Sequence, residues 1–171
     1  MIDFPKGVRI AQPNDEQRIY DLCCIMHAEN GYGEMDPDIV RLTIMKATER
    51  KGNIIAFIDG PERVEAAIGL QPIKPWYCAD KPTSWYWSEL FLYVHPLYRR
   101  SNHASKLFHF AKWWEAEMRM PVMLGLMPRA DLPGKEKLFA RHGRHVGSFY
   151  LIGGQVEWPS VEATECKQYI T

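Results

Sequence analysis

The sequence predicts an α+β domain: one mixed, mostly antiparallel sheet of six to seven strands flanked by about four helices. Three observations predict it. Short runs rich in β-branched and aromatic residues alternate with runs whose apolar residues recur at helical spacing. Gly60-Pro61 and Gly153-Gly154 mark tight hairpins, whereas a long helical segment separates the strand at 84–95 from the next at 122–128, which makes that pair parallel. Finally, 171 residues with 46% hydrophobic and 12% aromatic content are enough for one core. No repeat or linker divides the chain, so 1–171 reads as a single domain with a polar tail from about 160.

Each element has its own reason. "VRIAQP" (8–13) is a short strand, and Asn14 or Asp15 can cap a helix carrying Ile19, Leu22, Cys23 and Met26 on one face. "ENGYGEMDPD" (29–38) breaks the pattern, and Asp36 or Asp38 starts a second helix that runs to about Lys51 and stops at Gly52. "NIIAFIDG" and "RVEAAIGLQPI" form a hairpin. "TSWYWSELFLYVHP" is apolar on both faces and so reads as a central strand. Ala104, Leu107, Phe108, Ala111, Trp114 and Met118 form the stripe of a helix over about 102–119, with Pro121 just beyond it. "VMLGLMP" (122–128) is a further strand, "PGKEKLFARHG" (133–143) a short helix ended by Gly143, and "RHVGSFYLIGG" with "QVEWP" a closing hairpin.

Composition narrows the function. Twenty-one basic and 21 acidic residues cancel, which disfavours an electrostatic grip on nucleic acid or an anionic membrane. No apolar run is long enough to span a bilayer and the start lacks a signal-peptide pattern, so the cytoplasm is the expected compartment. Cys23, Cys24, Cys78 and Cys166 make no CxxC pair and read as reduced thiols. The histidines do not assemble a metal set, so no metal is expected, and no G-x-S-x-G elbow supports a hydrolase.

The stretch with chemical content is "VHPLYRRSNHASKL" (94–107). A strand runs into Pro96, two arginines and small polar residues that open a helix. Helix N-termini present free N–H groups and positive dipole, and arginines add charge-assisted bonds, so Arg99 to Ser105 can hold a pyrophosphate. The plainer alternative is a solvated turn with Ser101 or Asn102 as helix cap.

This segment resembles the GNAT superfamily of acyl-CoA-dependent N-acyltransferases. Val94, Pro96, Arg99, Asn102 and Ala104, followed by Lys106-Leu107, match its V-x-P-x-x-R/Q-x-x-G-x-G/A pattern with Asn102 at the first glycine. "KLFARHGRHVGSFYL" is similar to its C-terminal stretch, and the element order agrees over about residues 8–158. The resemblance implies acetyl-CoA (or another acyl-CoA) as co-substrate, with its pyrophosphate held by Arg99, Arg100, Ser101, Asn102, His103, Ala104 and Ser105. It also implies a pantetheine arm paired along Leu92, Tyr93 and Val94, and a slot where strands 84–95 and 122–128 splay apart. The expected activity is transfer of an acetyl group to a primary amine of a small molecule or protein by direct attack on the thioester. The alternative is a non-catalytic module that binds CoA or a protein. A homodimer is left open.

Transfer needs a base for the amine, a donor for the oxyanion and a proton for the thiolate. The resemblance places the donor at the backbone N–H near Val94. Glu89 is the only carboxylate inside the central strand; strict alternation would put it on one face with Phe91, Tyr93 and His95, where it is the candidate base, or else a strand-edge charge. His95 is the second candidate, with a structural strand-end role as its alternative. Phe139 stands where the family often has a proton-donating tyrosine, which leaves water, Tyr93 or Tyr150 for that task. Tyr32 and Glu34, in the loop after the first helix, are candidates for the amine acceptor's site, as are the nearby acids and Trp76, Trp85 and Trp87, with solvated loop acids and core aromatics as alternatives.

Overall fold

The computed structural model describes residues 2–31, 33–125 and 132–146. Its elements are β1 (Arg9–Ile10), α1 (Glu16–Asn30), α2 (Pro37–Thr48), β2 (Ile54–Asp59), β3 (Val64–Ile73), β4 (Tyr86–Val94), α3 (His103–Met118), β5 (Val122–Met123) and α4 (Leu132–His142). The strands form one sheet in the order β1-β2-β3-β4-β5. All neighbours are antiparallel except β4 and β5, which are parallel as the intervening helix requires. Five strands are thus present among the described residues. The expected closing hairpin, "RHVGSFYLIGG" with "QVEWP", and the tail lie outside them except for residues 144–146, which form no strand.

Two apolar layers explain why the central strands are buried on both faces. On one side α1 and α2 bring Ile19, Leu22, Ile44 and Ala47 against Ile55, Phe57, Phe91 and Tyr93. On the other, α3 brings Leu107, Phe110 and Ala111 against Ile54, Ile68, Leu70 and Trp87. The strict alternation along β2, with Ile54 and Ala56 in one layer and Ile55 and Phe57 in the other, is what a strand between two helical layers needs. Each of the larger aliphatic and Phe side chains contributes about 1.5–3 kcal/mol on burial, so the helices are held mainly by this packing.

Several ends differ from expectation for identifiable reasons. β1 stops at Ile10 because Pro13 opens a one-turn 3₁₀ helix, Pro13–Asp15. Asp15 does not cap α1: its carboxylate takes both Arg9 guanidinium N–H groups at 2.7 Å and the Gln12 N–H at 2.9 Å. The α2 cap is as expected, with Asp36 accepting from Asp38 and Ile39 N–H at 2.9 and 3.1 Å. Cys23 and Cys24 are buried on α1. Among the described residues, no helix is long and apolar enough to cross a membrane, and no three metal-donor side chains converge.

β4 carries the irregularity that matters most. Glu89 stands opposite Leu70 and Phe91 opposite Gly69, so Leu90 is one residue too many and forms a bulge. A Cβ on Gly69 would come within 2.7 Å of the Phe91 ring, which is why the facing residue has no side chain. The extra residue inverts the alternation: Phe91 and Tyr93 join the α1 layer, while Trp87, Leu92 and Val94 belong with α3. The expectation that Glu89 shares a face with Phe91, Tyr93 and His95 is therefore corrected, because it assumed an unbroken period of two.

Candidate active site

β4 and β5 part almost as soon as they meet. Their pairing comprises Trp87 with Val122 and Ser88 with Met123, and at the next step the Glu89 side chain, rather than more ladder, reaches across. Its carboxylate accepts the Gly125 N–H at 2.9 Å. Among the described residues the ladder ends here, with a carboxylate at its end; residues 126–128 of the expected fork lie outside them. Burial pushes the Glu89 carboxyl up to about 7, and the Gly125 and Leu92 N–H groups restrain the rise. A carboxylate poised near neutrality can take a proton from an ammonium or an ordered water and lose it again.

Above the bulge, β4 offers a backbone edge. The His95 N–H donates to Glu65 on the β3 side at 2.9 Å, and strand alternation then turns the N–H of Val94 toward the fork, the edge to which Leu92 already points. Leu92 and Val94 thus present polar backbone where the pantetheine arm was expected. The Tyr93 backbone, pairing with Ala67, is on the β3 side.

After Val94 the chain makes a 3₁₀ turn, Pro96–Tyr98, and enters α3. His95 holds this corner. It is 3% exposed, and its Nδ1 accepts the Leu97 N–H at 3.3 Å. Burial, with the charges of Arg63 and Arg99, lowers its pKa and keeps the ring neutral. Its buried Nε2 meets no hydrogen-bond partner among the described residues.

The helix opening is built as follows. Ser101 Oγ accepts the His103 N–H at 3.2 Å, and the Asn102 carbonyl accepts from Lys106 at 3.1 Å. Asn102 has φ −91°, so its place in the turn demands no glycine. His103 Nε2 lies 2.6 Å from the Glu65 carboxylate, tying the first residue of α3 to β3. The N–H groups of Arg100, Asn102, Ala104 and Ser105 receive no acceptor from the described residues, which leaves a cluster of donors at the positive end of a 16-residue helix. Ser105 Oγ is 3.4 Å from His142 Nε2 on α4.

Arg99 is placed differently from its neighbours. It forms an ion pair with Glu29 near the end of α1 and approaches the Tyr93 hydroxyl at 3.4 Å, and the same hydroxyl donates to Glu29 at 2.5 Å. Burial alone would raise the Glu29 pKa, but the bonds from Arg99 and Tyr93 hold it below the usual carboxylate range. Burial and the Glu29 bond raise Tyr93 far above an ordinary phenol. Glu29 was visible in the sequence only as one of several acids near a loop; its tie to residues 64 and 70 positions away had no sequence signal.

The remaining candidates separate widely. Glu34 is exposed in the loop between α1 and α2, and Tyr32 lies outside the described residues. Trp87 is a core residue, its ring 5.2 Å from that of Trp114. Trp85 donates to Asp80 at 3.1 Å and lines an open cavity of about 440 Å³ with Pro72, Trp114 and Met118, at the end of β4 away from the elbow. Trp76 is 94% exposed. Phe139 packs edge-on against Phe108 at 4.9 Å and so joins α4 to α3.

With this geometry in view, known structures can be compared. A solved structure described as a probable acetyltransferase superposes with a TM-score of 0.65 at 17% identity, covering 88% of this chain and 99% of its own. A predicted acetyltransferase from Clostridium acetobutylicum, solved with acetyl-CoA, gives 0.64 at 12% identity over 86% and 94%. A structure of AAC(6')-Iy in complex with the bisubstrate analogue CoA-S-monomethyl-acetylneamine gives 0.64 at 11% over 86% and 96%. No protein-family model matches the chain, and no curated protein matches it in sequence. What the sequence comparisons miss the backbone retains: across its length the chain has the fold of the GNAT acetyltransferases.

Proposed function

We propose that this protein is an N-acyltransferase that moves an acetyl group from acetyl-CoA to a primary amine of a small molecule or protein. The observation that carries the reading is the end of the β4–β5 ladder: a carboxylate poised near pH 7 lies there, the β4 edge at Leu92 and Val94 has no ladder to a described residue, and a donor-rich helix start follows at residues 100–105. Structural relatives solved with acetyl-CoA or a CoA bisubstrate analogue support it.

In this reading the phosphates rest on the N–H groups of Arg100 to Ser105 and the pantetheine arm pairs along the β4 edge. The amine, made neutral by Glu89 directly or through one water, attacks the thioester carbon. The thiolate then leaves with a proton from water, since Phe139 has none to give and the Tyr93 proton is directed at Glu29. Replacement of Glu89 by Gln tests this: transfer falls by about 10²–10⁴ while acetyl-CoA affinity is unchanged. Acetyl-CoA that binds tightly to the wild type but is never turned over across a broad amine panel would instead identify a CoA-binding module.

A further inference from the structure

We propose that the cavity at the far end of β4 is a second binding site, for a small planar apolar molecule that carries one carboxylate. The inference goes beyond the transferase reading and does not depend on it. The cavity measures about 440 Å³, within the range of small-molecule sites, and is walled mainly by Pro72, Trp85, Trp87, Trp114, Met118 and Met120. Met118 leaves 45% of its surface to water, so apolar area there stands uncovered. The cavity is separate from the donor cluster at the start of α3: the 16 residues of that helix set Met118 about 20 Å from it.

One charge decides the ligand's character. Among the described lining residues only Arg50 is charged, and its guanidinium makes no hydrogen bond or ion pair with a described residue. The neighbouring Glu49 pairs with Lys51 at 2.8 Å instead, and Asp80, which accepts from the Trp85 indole, is engaged by Lys74 at 3.4 Å. A cationic ligand would therefore meet an uncompensated cation, whereas a carboxylate would meet a planar fork of donors that matches it. The unmet polar groups of the wall are likewise donors: the Trp87 and Trp114 indole N–H groups are buried without an acceptor among the described residues.

The backbone adds a separate observation. Arg50 follows the cap of α2 with φ +59°, the left-handed conformation that glycine takes without strain and an arginine does not. A strained residue whose side chain has no partner within the protein is accounted for by a partner outside it.

Three probes of one ring system separate charge from shape: indole-3-acetate, neutral indole-3-ethanol and cationic tryptamine. Each is titrated into the full chain carrying ¹³C-methyl methionine, with the Met118 and Met120 signals, assigned by Met118→Leu and Met120→Leu, reporting from the wall. Indole-3-acetate should shift both signals and saturate with a Kd of about 1 mM or tighter. Indole-3-ethanol should bind about 10-fold more weakly, and tryptamine more weakly again. Acetyl-CoA should leave the indole-3-acetate Kd within about 3-fold, since the two sites are distinct. Arg50→Gly removes the guanidinium and relieves the backbone, so it folds, and it should bind indole-3-acetate no better than the alcohol. No shift at either methyl with any probe overturns the inference. Equal affinity for acid and alcohol, or wild-type affinity for the acid in Arg50→Gly, also overturns it, because the charge would then select nothing. Tightest binding by tryptamine overturns it in favour of an amine pocket, and displacement of indole-3-acetate by acetyl-CoA overturns the claim of a second site.

Discussion

The Tyr93 hydroxyl donates to Glu29 at 2.5 Å, and Arg99 pairs with the same carboxylate, so three residues from β4, α1 and the turn before α3 are tied at one point. The phenol proton is thereby committed to a carboxylate that carries full charge. A phenol in that state is a poor acid.

The first prediction concerns that proton. Tyr93→Phe should leave kcat for thiol release within about 3-fold and lower stability by about 1–2 kcal/mol, because Glu29 loses a buried donor. Denaturant melts and steady-state rates measure the two effects separately. A loss of 100-fold or more in kcat would make Tyr93 the acid after all.

A second prediction follows from the Glu89 carboxyl near 7. As a base it acts deprotonated, so kcat/KM should rise with pH through about 7 and level off above it. The same shift has a stability consequence of definite sign. A carboxyl held above its unfolded value keeps its proton while the unfolded chain loses one, so the folded state is progressively disfavoured as pH rises from the ordinary glutamate range to about 7. Glu89→Gln should therefore melt higher than wild type at pH 8, with the gap closing below about pH 4.5, the ordinary glutamate value. Equal melting temperatures at pH 8 would contradict the raised carboxyl.

Asp15 has the opposite sign. The Arg9 bonds, with help from the Gln12 N–H, hold its carboxyl below the usual range against the effect of burial. Its contribution is present above the ordinary aspartate pKa and is lost as pH falls through the lowered one. Asp15→Asn should cost about 1–3 kcal/mol at pH 7 and much less in strong acid. Urea melts at several pH values check this, and a loss independent of pH would assign the effect to packing alone.

The turn before α3 gives a fourth prediction. Asn102 replaces a glycine of the pattern the segment resembles, but its φ of −91° is open to any residue. Asn102→Gly should leave acetyl-CoA affinity within about 3-fold and, by loosening the unfolded chain, lower stability by about 0.4–1 kcal/mol. Tighter binding by 10-fold or more in the glycine variant would show that the asparagine side chain obstructs the cradle.

These outcomes also mark what the sequence can and cannot reveal. The hairpin of β2 and β3, the long α3 and the parallel β4–β5 pair were legible because apolar period and Gly/Pro punctuation act locally. The small residues after Pro96 were legible as a helix start for the same reason. The bulge at Leu90 was not, since it depends on how β4 registers against Gly69 and Leu70, a pairing no local pattern records. Face assignments downstream of it inverted as a result. Likewise Arg99 reads in sequence as an anion ligand, and only the long-range approach of Glu29 shows that its charge is already engaged. Gly125, a glycine in an apolar run, carries its interest entirely in a backbone N–H.

The most direct test of the account is thiol release by the purified protein given acetyl-CoA and pools of primary amines, read beside thermal unfolding with and without the nucleotide. The account predicts that acetyl-CoA at about 100 times its Kd stabilises the fold by about 2.7 kcal/mol, and that at least one pool releases free CoA in step with an acetylated amine. No stabilisation by acetyl-CoA or CoA, with no thiol released from any pool, would contradict it.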